Sequence, residues 1–170
     1  VEGVWYEIAR SPNEKIYECL NVTVPESFVN GELQLDVQFI ATYQKNQRTA
    51  EKETVKFTVD KSLMFSAFLY YYKSTSKKIP TLVFRITDIK NDFIWLCGYM
   101  PGLSSTLWKI FARDHSTKTK DALTSLLEKE KSLSDFGFPE QDECNVAAAR
   151  SVIGLMSIVA IASLASLASL

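Results

Sequence analysis

Few residues of this chain could do covalent chemistry: it has one histidine, His115, and three cysteines, Cys19, Cys97 and Cys144. No partner for a catalytic triad is evident around His115. The cysteines are widely spaced and include no C-x-x-C pair, so disulfides are expected rather than a zinc site. Cys19 falls on an outward position of a strand pattern, where it could not act as a nucleophile inside a cavity. We therefore expect a protein that is not an enzyme and that needs no metal or cofactor.

Charge and composition argue against nucleic acid as a partner. The 19 basic and 20 acidic residues give a net charge of −1, whereas binding to phosphates requires a concentrated basic face. The segment Asn21-Val22-Thr23 is an N-glycosylation sequon, which has meaning only in a secreted chain. We therefore expect an extracellular protein that carries a glycan on Asn21.

The dominant pattern is an alternation of apolar and polar residues with a period of two. It is clearest from Leu33 to Tyr43, and it recurs from Val55 to Val59. Such alternation places one face of a strand in a core and the other in water. Eight strands are predicted, at residues 3–10, 17–26, 31–44, 51–60, 62–73, 79–88, 92–100 and 106–113.

The connections between these strands alternate in length. Asn30-Gly31 is typical of a type I′ hairpin turn, and Asp60-Lys61 and Lys90-Asn91 are further tight connections. The longer connections are at residues 11–16, 45–50, 74–78 and 101–105. Alternate loops of an up-and-down barrel lie at opposite ends. The sequence therefore predicts an all-β fold, an eight-stranded antiparallel β-barrel that is closed at one end and open at the other.

One helix is predicted after the strands, from Lys118 to Lys131. Leu123, Leu126 and Leu127 form a narrow apolar stripe at helical spacing, and charged residues occupy the remaining face. A stripe of this width indicates that the helix packs against the outside of the barrel. The barrel and the helix together form a predicted domain over residues 1–144.

Residues 145–170 differ sharply in character from this domain. Val152 to Leu170 carries no charge and is long enough to span a bilayer. Because the small residues Asn145 to Ala149 precede it, we interpret the tail as a GPI-anchor signal. The alternatives are a retained membrane helix and a buried helix. A GPI anchor or a retained membrane helix would attach the protein to a membrane.

An eight-stranded barrel is just wide enough to be filled by side chains or to hold one small ligand. We predict a small hydrophobic ligand such as a fatty acid, retinoid or sterol. Glu7, in phase with Trp5, is either an inward carboxylate or is turned outward by a kink. The predicted ligand-binding residues are apolar or aromatic side chains on inward positions: Leu35, Val37, Phe39, Val55, Phe57, Phe68, Tyr70, Phe84, Trp108 and Ile110.

The alternative function is a cell-surface interaction or signalling protein that uses the barrel as a scaffold. The run from Phe65 to Tyr72 is apolar on both strand faces, so part of it could meet a protein partner on the outer surface. Quenching of tryptophan fluorescence by lipids would separate the two functions, because only a carrier would respond.

Three short motifs resemble the signatures of the lipocalins. Gly3 to Arg10, with the sequence GVWYEIAR, is similar to the G-x-W-Y motif of the first strand. Thr87-Asp88 before a turn resembles the second motif, and Trp108 to Arg113 before a helix resembles the third. The motifs occur in the family's order, and the likeness is greatest to the apolipoprotein D and Lazarillo-type lipocalins. The resemblance implies a barrel that carries a hydrophobic ligand, anchored at the cell surface in the Lazarillo type.

The resemblance also implies roles that alternation alone does not connect. Trp5 should plug the closed end of the barrel, with Arg113 across it in a cation–π contact. Cysteines at the places of Cys19 and Cys144 are paired in the apolipoprotein D branch, which implies a disulfide between them. The cysteine near Cys97 pairs in that branch with one upstream of the first motif, so Cys97 is expected to be unpaired in this chain.

One departure from the family's pattern affects the seventh strand. Cys97 follows Thr87 by one residue fewer than in the family. A shift of one residue exchanges the two faces of a strand. Two pairs could therefore face the ligand: Phe93 and Trp95, or Ile94 and Leu96.

Overall fold

The alternating segments of the sequence form eight strands, and one helix follows them. A computed structural model describes residues 1–13, 17–43, 47–62, 64–68, 80–90, 92–99, 106–129, 136–141 and 144. The predicted strands and helix are confirmed, although several ends differ. The elements are β1 (Gly3–Ser11), β2 (Tyr17–Val24), β3 (Glu32–Tyr43), β4 (Gln47–Val59), β5 (Met64–Phe68), β6 (Pro80–Lys90), β7 (Phe93–Tyr99), β8 (Thr106–Ala112) and α1 (Thr117–Lys129).

The sheet is a closed antiparallel barrel in the order β1 to β8, as predicted. Each strand pairs with the next along the chain, and β8 pairs with β1. The first and last strands therefore form hydrogen bonds with each other and leave no open sheet edge between them. We call the end that holds the Asn30-Gly31 turn the floor. The opposite end, where β1 finishes at Ser11 and β2 begins at Tyr17, is the mouth.

The turn at Asn30-Gly31 has the predicted geometry. Both residues have positive φ, 53° for Asn30 and 78° for Gly31, which is the requirement of a type I′ turn. Val29 and Glu32 exchange two backbone hydrogen bonds of 2.9 Å around it. Asparagine and glycine tolerate this conformation better than other residues, so their order in the sequence fixes the turn.

The predicted ends of β4 and β5 were less accurate. A loop was expected at residues 45–50, but β4 begins at Gln47 and its ladder with β3 continues to the Tyr43–Gln47 pair. The residues that start β4 are mostly polar, so the alternation that marks a strand is missing there. β5 is described from Met64 to Phe68, and the rest of the predicted strand, residues 69–73, lies outside the described residues.

α1 packs against the outer face of the barrel, as its apolar stripe predicted. Ser116 caps its first turn, because its hydroxyl accepts a hydrogen bond of 3.3 Å from the backbone N–H of Thr119. Leu123 is fully buried and packs with Ile8 and Ile110 of the barrel wall. The helix therefore covers the β1–β8 part of the sheet.

The chain after the helix returns to the β1–β2 wall. Gly137 exchanges two backbone hydrogen bonds with Arg10, and the N–H of Cys19 donates to the carbonyl of Glu140. The predicted disulfide between Cys19 and Cys144 is confirmed, with 5.6 Å between the Cα atoms, and Cys97 is a free cysteine. Residues 136–141 and 144 are therefore tied to the outside of the barrel near the mouth.

None of the helices in the described part of the chain is long and apolar enough to cross a membrane. Residues 145–170, to which the GPI-anchor signal and the membrane helix were assigned, lie outside the described residues. The predicted attachment to a membrane therefore stays a prediction.

Candidate functional site

The barrel encloses a cavity of about 240 Å³ between the floor and the mouth. Its wall is apolar over most of its area and is contributed by residues of all eight strands. Seven of the ten predicted binding residues line it: Leu35, Val37, Phe39, Val55, Phe57, Phe84 and Trp108. Alternation in β3 and β4 therefore located the inner wall correctly.

Aromatic side chains give parts of this wall a fixed shape. Phe84 contacts Phe57 edge-on at 4.8 Å between ring centroids and stacks on Phe65 at 5.3 Å. Tyr17 and Phe39 form a second edge-on pair at 4.7 Å near the mouth. Such pairs favour defined geometries, so these rings present a preformed surface to a ligand.

The prediction that Ile110 of β8 faces the cavity was wrong. This side chain is fully buried outside the cavity, where it packs with Ala112 and Leu123 beneath the helix. The inner face of β8 carries Lys109 and Phe111 instead. A lysine on the inner face and apolar residues on the helix-covered face reverse the usual pattern, so alternation assigned the two faces incorrectly.

Trp108 contacts the cavity close to the mouth, where it pairs with Ser11 of β1. Phe68 belongs to β5, but its side chain, like all of Tyr70, lies outside the described residues. The structure therefore assigns neither of these two residues to the wall.

The open alternative for β7 is resolved by the structure. Ile94 and Leu96 line the cavity, whereas Phe93 and Trp95 pack in the cluster beneath the helix. The pairing of Ile94 with Phe111 and of Leu96 with Lys109 puts these residues on one face of the β7–β8 ladder. Ile94 and Leu96, one of the two pairs left open, therefore belong to the cavity wall, and Phe111 is a wall residue that sequence reasoning missed.

A β-bulge in β1 decides which of its residues face the cavity. Glu7 pairs with Phe111, but the register then shifts by one residue. As a result Ile8 and Ala9 both pack beneath the helix, and Arg10 lines the cavity. Strict alternation would have put Ala9 inside and Arg10 outside. A bulge of this kind re-aims a side chain at the cost of one unpaired residue.

The bulge brings three charged side chains together at the cavity wall. Glu7 is fully buried, and its Oε2 accepts a 2.9 Å hydrogen bond from Nη2 of Arg10. Its Oε1 is 2.7 Å from Nζ of Lys109, and Arg10 also donates to the carbonyl of Tyr17 at 2.8 Å. A buried carboxylate needs partners of this kind, because the burial of an unpaired charge is costly. Glu7 therefore points inward, which answers the question that its sequence position left open.

The floor of the barrel has the predicted pair. The guanidinium of Arg113 lies 3.9 Å from the centre of the Trp5 ring and donates a 3.3 Å hydrogen bond to the carbonyl of Val4. Gly3 has a φ of +96°, and a Cβ there would be 2.8 Å from Nη1 of Arg113. The first motif therefore needs glycine for its backbone conformation and for the approach of the arginine.

The histidine and the free cysteine, which could do covalent chemistry, do not line the cavity. The ring of His115 lies edge-on to Tyr6, 4.8 Å between centroids. Burial raises the pKa of the Cys97 thiol, although Arg85 opposes this effect, so the reactive thiolate is disfavoured. Within the described residues no group of three histidine, cysteine or acidic side chains is placed to hold a metal ion.

Known proteins resemble this chain in structure rather than in sequence. No protein-family model matches the sequence, and no curated protein matches it either. Japanin from Rhipicephalus appendiculatus, in a structure with bound cholesterol, is 11% identical with a TM-score of 0.52, over 84% of this chain and 95% of that chain.

Two further solved structures are similar to the same extent. A dog lipocalin allergen is 14% identical with a TM-score of 0.53, and the match covers 85% of this chain and 97% of the allergen. Lobster apocrustacyanin A1 is 17% identical with a TM-score of 0.51, over 82% of this chain and 77% of that chain. The closed eight-stranded barrel with its outer helix is therefore the lipocalin fold.

Proposed function

We propose that this protein binds and carries, or sequesters, one small hydrophobic molecule inside its barrel. The observation that supports the proposal is the apolar cavity of about 240 Å³ that the inner faces of the strands enclose. Ligand pockets for small molecules are concave, mostly apolar and largely preformed. Fatty acids, retinoids and sterols are the classes that this wall suits, and a slender chain suits its volume best.

The size of the hydrophobic gain is consistent with a carrier. A ligand that buries ~300 Å² of apolar surface gains about 7 kcal/mol at ~25 cal/mol per Å², less the cost of ordering. Before that cost is subtracted, the gain corresponds to a dissociation constant of about 10 μM. The japanin structure supports the proposal through the shared fold, because that protein is bound to cholesterol.

A pair of matched variants tests the proposal. Val37→Trp places an indole inside the cavity, whereas Gln38→Trp places it on the exposed side of the same strand. Affinities for a panel of lipids are measured by displacement of a fluorescent hydrophobic dye. We expect the first variant to bind these lipids more weakly by a factor of about ten or more. The second should bind as the unmodified protein does, and equal binding by the two variants would contradict an interior site.

Mass spectrometry of the purified protein would identify the natural ligand. If no lipid copurifies and none displaces the dye, the alternative function, a cell-surface interaction or signalling protein on a barrel scaffold, becomes the better one. Phe65 begins the run of which a part was expected on the outer surface, and its own side chain faces the cavity. The part of this run beyond Phe68 lies outside the described residues.

We propose that the carrier acts outside the cell, held at the membrane surface in the manner of Lazarillo-type lipocalins. The Cys19–Cys144 disulfide supports an oxidising compartment, and the sequon at Asn21 is consistent with one. The apolar segment Val152–Leu170 is the proposed GPI signal. Release from cells by a phosphatidylinositol-specific phospholipase is expected, together with a loss of mass after treatment with an N-glycosidase. A protein that keeps this segment and resists the phospholipase would be a membrane-spanning one instead.

A further inference from the structure

The described part of the cavity wall is mostly apolar, and its charged side chains lie in one strip where β1 meets β8. Among the described residues that line it, the charged side chains are Arg10 and Lys109, and both are cations. They are neighbours across the strands, because Arg10 pairs directly with Lys109 in the β1–β8 ladder. The bulge after Glu7 creates this arrangement, since without it Arg10 would point to the outside.

The carboxylate of Glu7 holds both cations in place. It is fully buried and is 2.9 Å from Arg10 and 2.7 Å from Lys109. Among the described residues, one carboxylate therefore faces two cations at the edge of an apolar space. A low dielectric constant beside an apolar space strengthens the interaction of these cations with an anion.

Other charges of the inner faces lie elsewhere in the barrel. Glu53 and Glu51 pair with Val37 and Phe39 and so share the inner face of β4, across the barrel from β1 and β8. They do not line the cavity. Burial, together with the neighbouring Glu51, raises the pKa of Glu53.

We infer that the ligand is an amphiphile with a single anionic head, such as a carboxylate, which lies against Lys109 and Arg10 while its apolar tail fills the cavity toward Trp5. The inference rests on the proposed carrier function and specifies the ligand class. Hydrogen bonds from charged donors to a carboxylate are shorter and stronger than neutral ones, so the head group contributes selectivity. A neutral alcohol of the same length keeps the contacts of the tail but loses the charged hydrogen bonds of the head group.

Three probes of equal length test the inference on the full, delipidated chain. Decanoate, decanol and decyltrimethylammonium carry an anionic, a neutral and a cationic head on the same tail. Calorimetric titration is expected to give decanoate an affinity at least about tenfold above that of decanol, with the ammonium compound weakest. An equal or weaker affinity for decanoate would overturn the inference, and tightest binding of the ammonium compound would indicate that Glu51 and Glu53 dominate.

Lys109→Met removes one cation and leaves the Glu7–Arg10 pair intact. Its affinity for decanoate should fall about tenfold, whereas its affinity for decanol should stay within about twofold of the unmodified protein. Lys56→Met is the matched control, because Lys56 is exposed on the outer face of β4 and its loss changes the net charge equally. An equal loss for both ligands in Lys109→Met would mean that Lys109 acts by packing alone, against the inference.

Glu7→Gln provides a test of opposite sign. It removes the negative charge between the two cations without changing the shape of the side chain. Affinity for decanoate is therefore expected to rise and affinity for decanol to stay constant. Binding of decanol in every variant supports the carrier function independently of the head group. If none of the three probes binds, the carrier function itself fails.

Discussion

The side-chain amide of Gln141 donates a 2.7 Å hydrogen bond to the backbone carbonyl of Glu7, across 134 residues of sequence. It also donates to the carbonyl of Leu20 at 3.1 Å. Both acceptors lie in strands whose register shifts, where ladder bonding is interrupted. Gln141 therefore takes the place of a missing strand-to-strand bond, and only 2% of its surface is exposed.

Gln141→Ala is expected to leave two buried carbonyl oxygens without this donor. The free energy of unfolding, measured by urea denaturation, should fall by about 2 kcal/mol. Gln38→Ala is the control, because Gln38 is an exposed glutamine of β3, and it should change the stability by less than about 0.5 kcal/mol. Equal effects of the two substitutions would show that the amide contributes nothing.

Gly3→Ala is expected to disturb the floor more than Gly31→Ala does. Both glycines have positive φ, so each substitution costs about 1 kcal/mol in backbone strain. At Gly3 the new Cβ would also meet Nη1 of Arg113, whereas at Gly31 nothing lies within 4 Å. Thermal unfolding should therefore show the larger loss for Gly3→Ala, together with a change in the fluorescence of Trp5. A similar loss at both positions would mean that Arg113 moves away at no cost.

The inner wall of the barrel could be predicted from sequence only for strands that have one face toward the cavity and the other toward water. In β3 this holds, and Leu35, Val37 and Phe39 were placed correctly. In β8 the outer face is covered by α1 and the inner face carries Lys109, so polarity pointed to the wrong face.

The charged cluster was beyond sequence reasoning for a related reason. A bulge adds one residue to a strand and changes the phase of everything after it, and no residue type marks it. The approach of Arg10 to Lys109, separated by most of the chain, therefore became visible only through the β1–β8 pairing. The Trp5–Arg113 pair is similarly distant in sequence, and it was predicted because the first family motif contains Trp5 and the third contains Arg113.

Removal of the disulfide is expected to lower the free energy of unfolding strongly. The bond joins residues 125 positions apart, and in the chain-entropy model such a closure contributes on the order of 4–5 kcal/mol. Cys144→Ser should therefore lower the urea midpoint strongly, whereas Cys97→Ser should change it little, since Cys97 is not bridged. Peptide mapping without reduction provides the direct check, and a peptide that links Cys97 to either other cysteine would contradict the pairing.

Asp114, in the loop before α1, is expected to make the free energy of unfolding depend on pH in the acid range. Hydrogen bonds from Ser116 and Thr119 lower the pKa of Asp114 to about 2. A carboxylate with a lowered pKa stabilises the fold above its ordinary value of 3.8, and this contribution is lost as the pH falls toward about 2.

Asp114→Asn tests this dependence, because asparagine does not titrate. Its unfolding free energy should be below that of the unmodified protein at pH 6, and the two should converge near pH 2. Asp121→Asn, at an exposed position of α1, removes the same charge away from these hydrogen bonds. The hypothesis fails if the gap for Asp114→Asn stays constant over this range or if Asp121→Asn shows the same convergence.

The Cys19–Cys144 bond also determines how a mechanical load would pass through the molecule. Tension applied to the chain beyond Cys144 enters β2 directly at Cys19, through a covalent bond. The 124 residues between the two cysteines, with most of the barrel and all of α1, lie off that path. A pull between the N-terminus and a tether beyond Cys144 would therefore act on β1 and the start of β2, and its covalent path would bypass β3 to β7.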